Sequence, residues 1–254
     1  MIEIDLNCDL GESSTPAAQL QEEALMQYVS SVNIACGFHA GDAAIMQQTV
    51  ASAIRKNLAI GAHPGFRDPA NFGRKNIQIK PKEAYQITLY QVGALAAFVK
   101  AAGGRLNHVK PHGALYNMAA EDLSLSTAIA EAIADFDDSL VLYGLSGSKL
   151  IEAGKQKGLR VANEVFADRS YQSNGHLTPR SEPQALITNP AEALQQVISI
   201  IKFNYVTTVQ KTRINVQADT ICIHGDGEHA LTLAKYIQDG LKEESIKVSG
   251  EKEW

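Results

Sequence analysis

Apolar and polar residues alternate along seven short stretches of the chain, and each stretch precedes a segment whose apolar residues recur every three or four positions. Alternation is typical of half-buried β-strands, whereas the longer period is typical of amphipathic helices. The order therefore predicts repeated strand and helix units rather than separate all-α and all-β regions. The predicted strands lie near Ile2–Asn7, Val32–Ala35, Ala59–Ala62, Arg105–Val109, Leu140–Tyr143, Arg160–Val165 and Thr220–His224.

The predicted helices follow these strands, and several have recognisable ends. Asp42 is a residue type that caps a helix N-terminus, Pro81 precedes the third helix, and Gly103 and Gly104 stop it. The segment Phe166–Pro190 is long and polar, and a loop of that length in a compact domain is usually functional. The helices are expected near Ala18–Tyr28, Asp42–Lys56, Lys82–Ala102, Asp122–Phe136, Ser148–Lys157, Ala191–Lys202 and Glu228–Leu241.

The faces of the strands distinguish a closed barrel from an open sheet. Helices cover both faces of an open parallel sheet, so its strands are apolar nearly throughout. In the first strand, however, Ile4 and Leu6 share one face while Asp5, Asn7 and Asp9 share the other. A barrel accommodates this pattern when the polar face lines the lumen. Because no linker or break in composition is visible, we predict a single domain over residues 1–254, an α/β fold with a (β/α) barrel of about seven strands.

Composition narrows the class of function. Of the 254 residues 45% are apolar and 20% are charged, as in an ordinary globular protein. The net charge is −5 with dispersed Lys and Arg, which argues against nucleic acid and anionic membranes and favours a small-molecule substrate or protein partners. The start "MIEIDLNCDLGES" lacks the pattern of a signal peptide, so a cytoplasmic location is expected. Three cysteines without a C-x-x-C pair predict reduced thiols.

Polar residues concentrate at the C-terminal ends of the predicted strands, which surround one mouth in a barrel. In "NCDLGES", Asn7 and Asp9 share the inward face and Glu12 follows a glycine; the alternative is that the acids only cap or solvate the next helix. His39 in "ACGFHAGD" and His63 in "GAHPGF" follow the next two strands. One histidine is more often structural, whereas several after successive strands favour a functional site.

The stretch "LNHVKPHGALYN" places His108, Lys110 and His112 on one face of an extended chain. The two histidines would lie about 13 Å apart, too far for both to bind one metal ion through a straight strand. Lys110 could instead supply a fixed positive charge for an anionic group, with His112 at the rim as an acid, a base or a metal ligand. The alternative is a lysine that extends to solvent from the strand end.

Two further candidates follow the sixth and seventh strands. Asp168 and Arg169 in "EVFADRSY" form either a substrate-binding or phosphate-binding pair or a structural ion pair. His224 ends the seventh strand in "IHGDGEHA", and Asp226 lies between two glycines in a loop whose N–H groups could receive an anion. The chain contains no Walker A sequence.

Together these motifs resemble the family of A subunits of bacterial ATP-hydrolysing 5-oxoprolinases, the LamB/YcsF lactam-utilization family. The carriers of the resemblance are "DLNCDLGES", "NIACGFHAGD", "GAHPGF", "HVKPHGALYN", "EVFADRSY" and "HGD". The resemblance implies a barrel of the glycoside hydrolase/deacetylase type. It also implies hydrolysis of the lactam of 5-oxo-L-proline to L-glutamate, with ATP cleaved to ADP and phosphate, and two further subunits as partners. A homo-oligomer is compatible with it.

The implied reaction needs positive groups for phosphate and carboxylate, and a base for water, if ATP phosphorylates the lactam oxygen to make a better electrophile. Lys110 and Arg169 are candidates for the positive groups. The candidate base is Asp9, His63 or His112. ATP would bind either this chain or a partner.

Related deacetylase-type barrels hold a divalent metal ion with Asp and His, which makes Asp9, His39 and His63 candidate ligands here. Two other functions stay open. The chain could act alone as a metal-dependent amidohydrolase or deacetylase, or it could be a non-catalytic regulatory subunit.

Overall fold

A closed barrel forms the centre of the protein. In residues 2–225 and 230–250, which the computed structural model describes, seven parallel strands make up this barrel. They are β1 (Ile2–Leu10), β2 (Ser31–Ala35), β3 (Ala59–His63), β4 (Leu106–Val109), β5 (Val141–Leu145), β6 (Arg160–Phe166) and β9 (Thr220–Ile223). The first six are paired in chain order, and β9 lies between β6 and β1, where it closes the barrel. The predicted barrel of about seven strands is therefore confirmed.

Eight α-helices lie in the same described ranges. They are α1 (Pro16–Leu25), α2 (Ala43–Arg55), α3 (Pro81–Ala101), α4 (Gly113–Glu121), α5 (Leu123–Phe136), α6 (Lys149–Gln156), α7 (Pro190–Phe203) and α8 (Ala230–Glu243). The predicted cap is present, because the side chain of Asp42 accepts a hydrogen bond from the N–H of Ile45 at 2.9 Å. In the described part of the chain, no helix combines the length and apolar character that a membrane crossing needs.

One α-helix and three strands of the described residues were not predicted. Helix α4 begins at Gly113, two residues after Pro111. Proline and glycine are typical of turns, so the start of this helix was interpreted as a turn. The other three are strands of three residues, too short for a periodic pattern: β7 (Tyr205–Thr207) and β8 (Arg213–Asn215) form an antiparallel hairpin, and β10 (Ile246–Val248) extends the sheet beside the start of β1.

The lumen is polar, as the alternation in β1 predicts. Leu6 and Cys8 pack in the apolar core, whereas Asp5, Asn7 and Asp9 point inward. Asp5 accepts hydrogen bonds from hydroxyl groups, including that of Thr220 at 2.6 Å. This hydroxyl-lined layer supports the site from within the barrel.

Below the mouth, a second layer fills the lumen. The ring of His108 stacks on Tyr143 at a centroid distance of 4.0 Å, and its Nε2 lies 2.7 Å from Oδ1 of Asn33. His108 is therefore held inside the barrel, away from His112, as the extended spacing of the segment predicts.

Candidate active site

Lys110 lies at the centre of the site, directly after β4. Its Nζ is 2.9 Å from Oδ1 of Asp9 and 2.8 Å from Oε1 of Glu164, and only 2% of the residue is exposed. Burial opposes the charged form, but the nearby Asp9 and Glu164 carboxylates hold the pKa of Lys110 well above its ordinary value. The lysine does not extend to solvent; it joins β1, β4 and β6 through one buried cation.

Asn7 supports this arrangement from one residue layer below. Its amide nitrogen donates to Oε1 of Glu164 at 3.0 Å and to the hydroxyl of Thr220 at 2.7 Å. The side chain is fully buried and does not line the cavity described below. Asn7, predicted as a substrate or phosphate ligand, thus orients Glu164 instead of facing a substrate.

His63 and His112 lie side by side, with His63 Nε2 and His112 Nδ1 2.9 Å apart. The other nitrogen of each ring faces a backbone carbonyl. Nδ1 of His63 is 2.7 Å from the carbonyl oxygen of Lys110, and Nε2 of His112 is 2.8 Å from that of Phe72. Because a carbonyl oxygen only accepts, these outer nitrogens carry the protons. The facing nitrogens are therefore directed into the site.

Glu12 faces three histidines. Its Oε1 lies 3.0 Å from Nε2 of His39, 3.3 Å from Nδ1 of His112 and 3.8 Å from Nε2 of His63. The His39 and His112 rings stack at 3.7 Å. Burial, together with the charge of neighbouring imidazoles, lowers the pKa of both His39 and His112 well below the usual value, so both rings are neutral at neutral pH.

The loop that carries Glu12 is fixed by a second carboxylate. Glu22, buried in α1, accepts hydrogen bonds from the backbone N–H groups of Gly11, Glu12 and Ser13 at 2.9, 3.1 and 2.9 Å. Three charge-assisted bonds of this kind hold a backbone firmly. No motif signalled this function of Glu22 in the sequence.

His224 and Asp168 form a separate pair at the mouth. Nδ1 of His224 lies 2.9 and 3.0 Å from the two carboxylate oxygens of Asp168. Burial would raise the pKa of Asp168, but the charge and hydrogen bond of His224 outweigh it and hold that pKa below its usual value. The remaining nitrogen of His224, Nε2, belongs to a ring that lines the cavity.

Arg169 organises the long loop between β6 and α7. Its guanidinium donates to the carbonyl oxygens of Ala185 at 3.2 Å and Thr178 at 2.6 Å. Burial, followed by repulsion from Arg180, lowers the pKa of Arg169 to about 10. The guanidinium therefore holds two parts of the loop together. Within the described residues Asp168 pairs with His224, so the predicted alternative of an ion pair between Asp168 and Arg169 is not formed. Asp226 lies outside the described residues.

A cavity of about 470 Å³ opens above these groups. Asp9, His63, Lys110 and His112, the four predicted catalytic residues, all line it. Its wall also carries three arginines, Arg74, Arg169 and Arg180. Sequence reasoning did not single out Arg74, which belongs to a loop distant in the chain from the other two. The cavity thus joins a buried acid–base centre to a basic wall.

The cysteines do not provide a nucleophile among the described residues. Cys8, Cys36 and Cys222 are free and buried. The thiol of Cys36 donates to the carbonyl oxygen of Ile34 at 3.2 Å, and burial raises its pKa to about 12. Burial also raises the pKa of Cys8 and Cys222, so all three thiols are protonated, in agreement with the predicted reduced cysteines.

Fold and site together define a class: a (β/α)-barrel protein with buried acid–base residues at the C-terminal ends of its strands, where barrel enzymes have their active sites. Within that class, the model of the LamB/YcsF family matches residues 4–254. The chain belongs to this family.

Comparisons with individual proteins agree with that assignment. The 5-oxoprolinase A subunit of Geobacillus thermodenitrificans is 55% identical over 245 residues, which cover 96% of this chain and 95% of the relative. The crystal structure of the lactam utilization protein from Thermus thermophilus has a TM-score of 0.90 at 39% identity and covers 98% of this chain and 99% of its own. A T48 deacetylase, 11% identical, matches with a TM-score of 0.50 over 97% of this chain and 87% of its own, which shows the fold alone.

Proposed function

We propose that this chain is the A subunit of a 5-oxoprolinase, which hydrolyses the lactam of 5-oxo-L-proline to L-glutamate while ATP is cleaved to ADP and phosphate. The observation that carries the proposal is the 55% identity to a 5-oxoprolinase A subunit over nearly the full length of both chains. The term subunit in that name supports a multi-subunit enzyme, and we propose two further subunits as partners.

The cavity suits a small anionic lactam and its phosphorylated form. Arg74 and Arg180 line one wall, and guanidinium groups bind carboxylates and phosphates in a bidentate manner. Lys110 is already paired with Asp9 and Glu164, so its charge is balanced within the protein. We therefore assign the substrate anion to the arginine wall and the buried lysine to the placement of the two carboxylates.

His224 is the general base that we propose for water attack. Its Nδ1 is oriented by the Asp168 carboxylate, which favours the tautomer with a free Nε2 lone pair. Its ring lines the cavity, where a proton can pass to and from substrate or water.

The experiment is reconstitution of the enzyme from this chain and the two candidate partner subunits. With 5-oxo-L-proline and ATP, we expect glutamate and ADP to form together, and we expect omission of this chain to abolish glutamate. Glutamate formation at an unchanged rate without this chain would contradict the proposal. A separate measurement, nucleotide binding to each isolated subunit by calorimetry, would locate the ATP site.

A stand-alone metal-dependent amidohydrolase is the second candidate, favoured by one observation. The donor atoms of Glu12, His39, His63 and His112 all lie within 4.8 Å of one another. Turnover of a simple lactam or an N-acetyl sugar by the purified chain alone, abolished by a chelator, would support this candidate over the first.

A further inference from the structure

We infer that four side chains at the barrel mouth, one at the end of β3 and three in the segments that follow strands, form a binding site for one first-row divalent cation of the Zn²⁺ type. The donor atoms belong to Glu12, His39, His63 and His112. This goes beyond the leading proposed function, which needs no resident metal ion in this chain, and it names the ligands on which the second candidate depends. It also differs from the ligand set expected from related barrels, because it includes Glu12 and His112 and leaves out Asp9.

The orientation of two histidine rings supports the inference. The Nδ1–H of His63 and the Nε2–H of His112 are committed to backbone carbonyls. The inner nitrogens, His63 Nε2 and His112 Nδ1, face each other at 2.9 Å and lie 3.8 and 3.3 Å from Oε1 of Glu12. A metal cation bound beside them would take a lone pair from each inner nitrogen, because the carbonyls already hold an N–H on the outer side of each ring. Histidine ligands typically donate their outer N–H to a carbonyl or carboxylate in this way.

The spacing of the donors also fits a single ion. Atoms bound at about 2.0–2.1 Å in a tetrahedron lie about 3.3 Å from each other. The observed separations scatter around that value. Oε1 of Glu12 is 3.0 Å from Nε2 of His39 and 3.3 Å from Nδ1 of His112, and it is 3.8 Å from Nε2 of His63. Three imidazoles and one carboxylate suit zinc and its neighbours in the first row.

The surrounding backbone is shaped for these rings. A Cβ at Gly65 would lie 2.7 Å from Nδ1 of His39, and one at Gly73 would lie 2.7 Å from Cβ of His39 and 3.0 Å from Cδ2 of His112. Only glycine permits so close an approach. Nδ1 of His39 is buried without a hydrogen-bond partner among the described residues, whereas Nε2 faces Oε1 of Glu12 at 3.0 Å, so a cation bound there would take the place of the Nε2 proton.

A second group of donors at the mouth is less suited to a cation. Asp9, Cys222 and His224 also lie close together. The ammonium of Lys110, however, is already 2.9 Å from Asp9 and 3.1 Å from the sulfur of Cys222. A metal ion there would be repelled by a buried positive charge at short range. The histidine-rich group instead carries the negative charge of Glu12, which attracts a cation.

The test measures metal binding directly. The purified chain is stripped with a chelator, dialysed, and titrated with Zn²⁺ in a calorimeter and with Co²⁺ in a visible spectrophotometer. We expect one equivalent of either ion and a visible Co²⁺ spectrum of nitrogen and oxygen ligation. Loss of a direct ligand in H39A or H63A is expected to weaken Zn²⁺ binding by more than about 100-fold, since loss of an outer partner alone costs about 10–100-fold.

The controls separate this inference from the proposed function. H224Q is expected to bind Zn²⁺ as the wild type does while losing turnover in the reconstituted enzyme, and it reports on the second donor group. E12Q keeps the shape of the site and is expected to weaken binding. A thermal shift with Zn²⁺ verifies that each variant is folded and that only variants with a complete site are stabilised.

Two results would overturn the inference. One is a folded wild-type chain that takes up no stoichiometric Zn²⁺ or Co²⁺, with NMR showing a proton shared by His63 and His112. The other is metal uptake that H39A and H63A retain and H224Q loses, which would place the ion at Asp9, Cys222 and His224.

Discussion

Nζ of Lys110 lies 2.9 Å from Oδ1 of Asp9, although 101 residues separate them in the chain. The barrel brings them together because both follow the inward face at the C-terminal ends of their strands. The same ammonium contacts Glu164 at 2.8 Å, so one buried cation balances part of two buried negative charges. Removal of one partner from such a group leaves an uncompensated charge in the interior.

Replacement of Lys110 by methionine is expected to lower the free energy of unfolding by about 3–5 kcal/mol, because Asp9 and Glu164 then remain buried without a cation. Urea denaturation measures this change. The matched control is Lys149→Met, which removes an exposed pair with Glu152 and should cost less than about 1 kcal/mol. If Lys110→Met lowered the free energy of unfolding as little as the control does, Lys110 would not be the buried counter-charge of Asp9 and Glu164.

Replacement of His224 by glutamine is expected to lower kcat of the reconstituted enzyme by about 10²–10⁴-fold, the range for loss of a general base. Asp168→Asn should lower it as well, since the ring would lose the carboxylate that orients it. Lys100→Gln, on the exposed end of α3, is the control and should leave kcat unchanged. Wild-type turnover by His224→Gln would remove this residue from the mechanism.

The pairing of Asp168 with His224 predicts a pH dependence of stability. The pKa of Asp168 is lowered in the folded chain, because the nearby histidine outweighs the effect of burial. Its contribution is therefore fully present above the unfolded value, about 3.9, and is lost as the pH falls through the lower folded value. The difference in unfolding free energy between wild type and Asp168→Asn should be constant above about pH 5 and narrow below about pH 4. If the difference in unfolding free energy between wild type and Asp168→Asn were the same at about pH 3 as at neutral pH, the lowered pKa of Asp168 would be contradicted.

Two glycine substitutions should have opposite effects. A Cβ at Gly61 would lie 2.1 Å from Nε2 of His108 inside the lumen, so Gly61→Ala is expected to destabilise the protein by at least about 1–3 kcal/mol. A Cβ at Gly93, in the middle of α3, would meet only Phe136 at 3.9 Å. Gly93→Ala should therefore stabilise the protein by about 0.5–1 kcal/mol. Thermal or urea unfolding measures the stability of both variants. Equal changes in stability would contradict the close packing of His108 on Gly61 and the open space beside Gly93.

Replacement of Arg180 by glutamine is expected to raise KM for 5-oxo-L-proline or ATP several-fold with little change in kcat, if its charge binds the anion equally in the ground and transition states. Steady-state kinetics of the reconstituted enzyme distinguishes the two substrates. A fall in kcat with an unchanged KM would assign Arg180 to the chemical step instead.

The alternation of apolar and polar residues, together with the repeated order of strand and helix, predicted the barrel. In an open parallel sheet helices cover both faces and both are apolar, whereas a barrel has a lumen that accommodates a polar face. The same pattern also placed His63, Lys110 and His112 at one mouth. Glu164 could have been assigned to the site by the same logic, since it is the inward polar residue near the end of β6. What the pattern could not reveal was a layer of contacts between loops distant in the chain.

Glu12 illustrates that limit. A carboxylate after a tight turn predicts a cap or a ligand, but its contacts with three histidines depend on Glu22, which holds the backbone of the loop from the next helix. The tautomers of His63 and His112 likewise depend on the carbonyls of Lys110 and Phe72. Contacts with backbone carbonyl and N–H groups cannot be predicted from the types of residues in the sequence.

The closure of the barrel by β1 and β9 has a consequence for synthesis. Asp5 and Thr220, 215 residues apart, share a hydrogen bond, so β1 lacks one of its neighbours until most of the chain has been made. A nascent chain must therefore keep one edge of its first strand open while translation proceeds, and such edges favour wrong pairing. The acidic side chains of β1 also disfavour association of its open edge with apolar segments before β9 has been made. The strand that carries Asp9 therefore gains its second barrel neighbour only after β9 has been made.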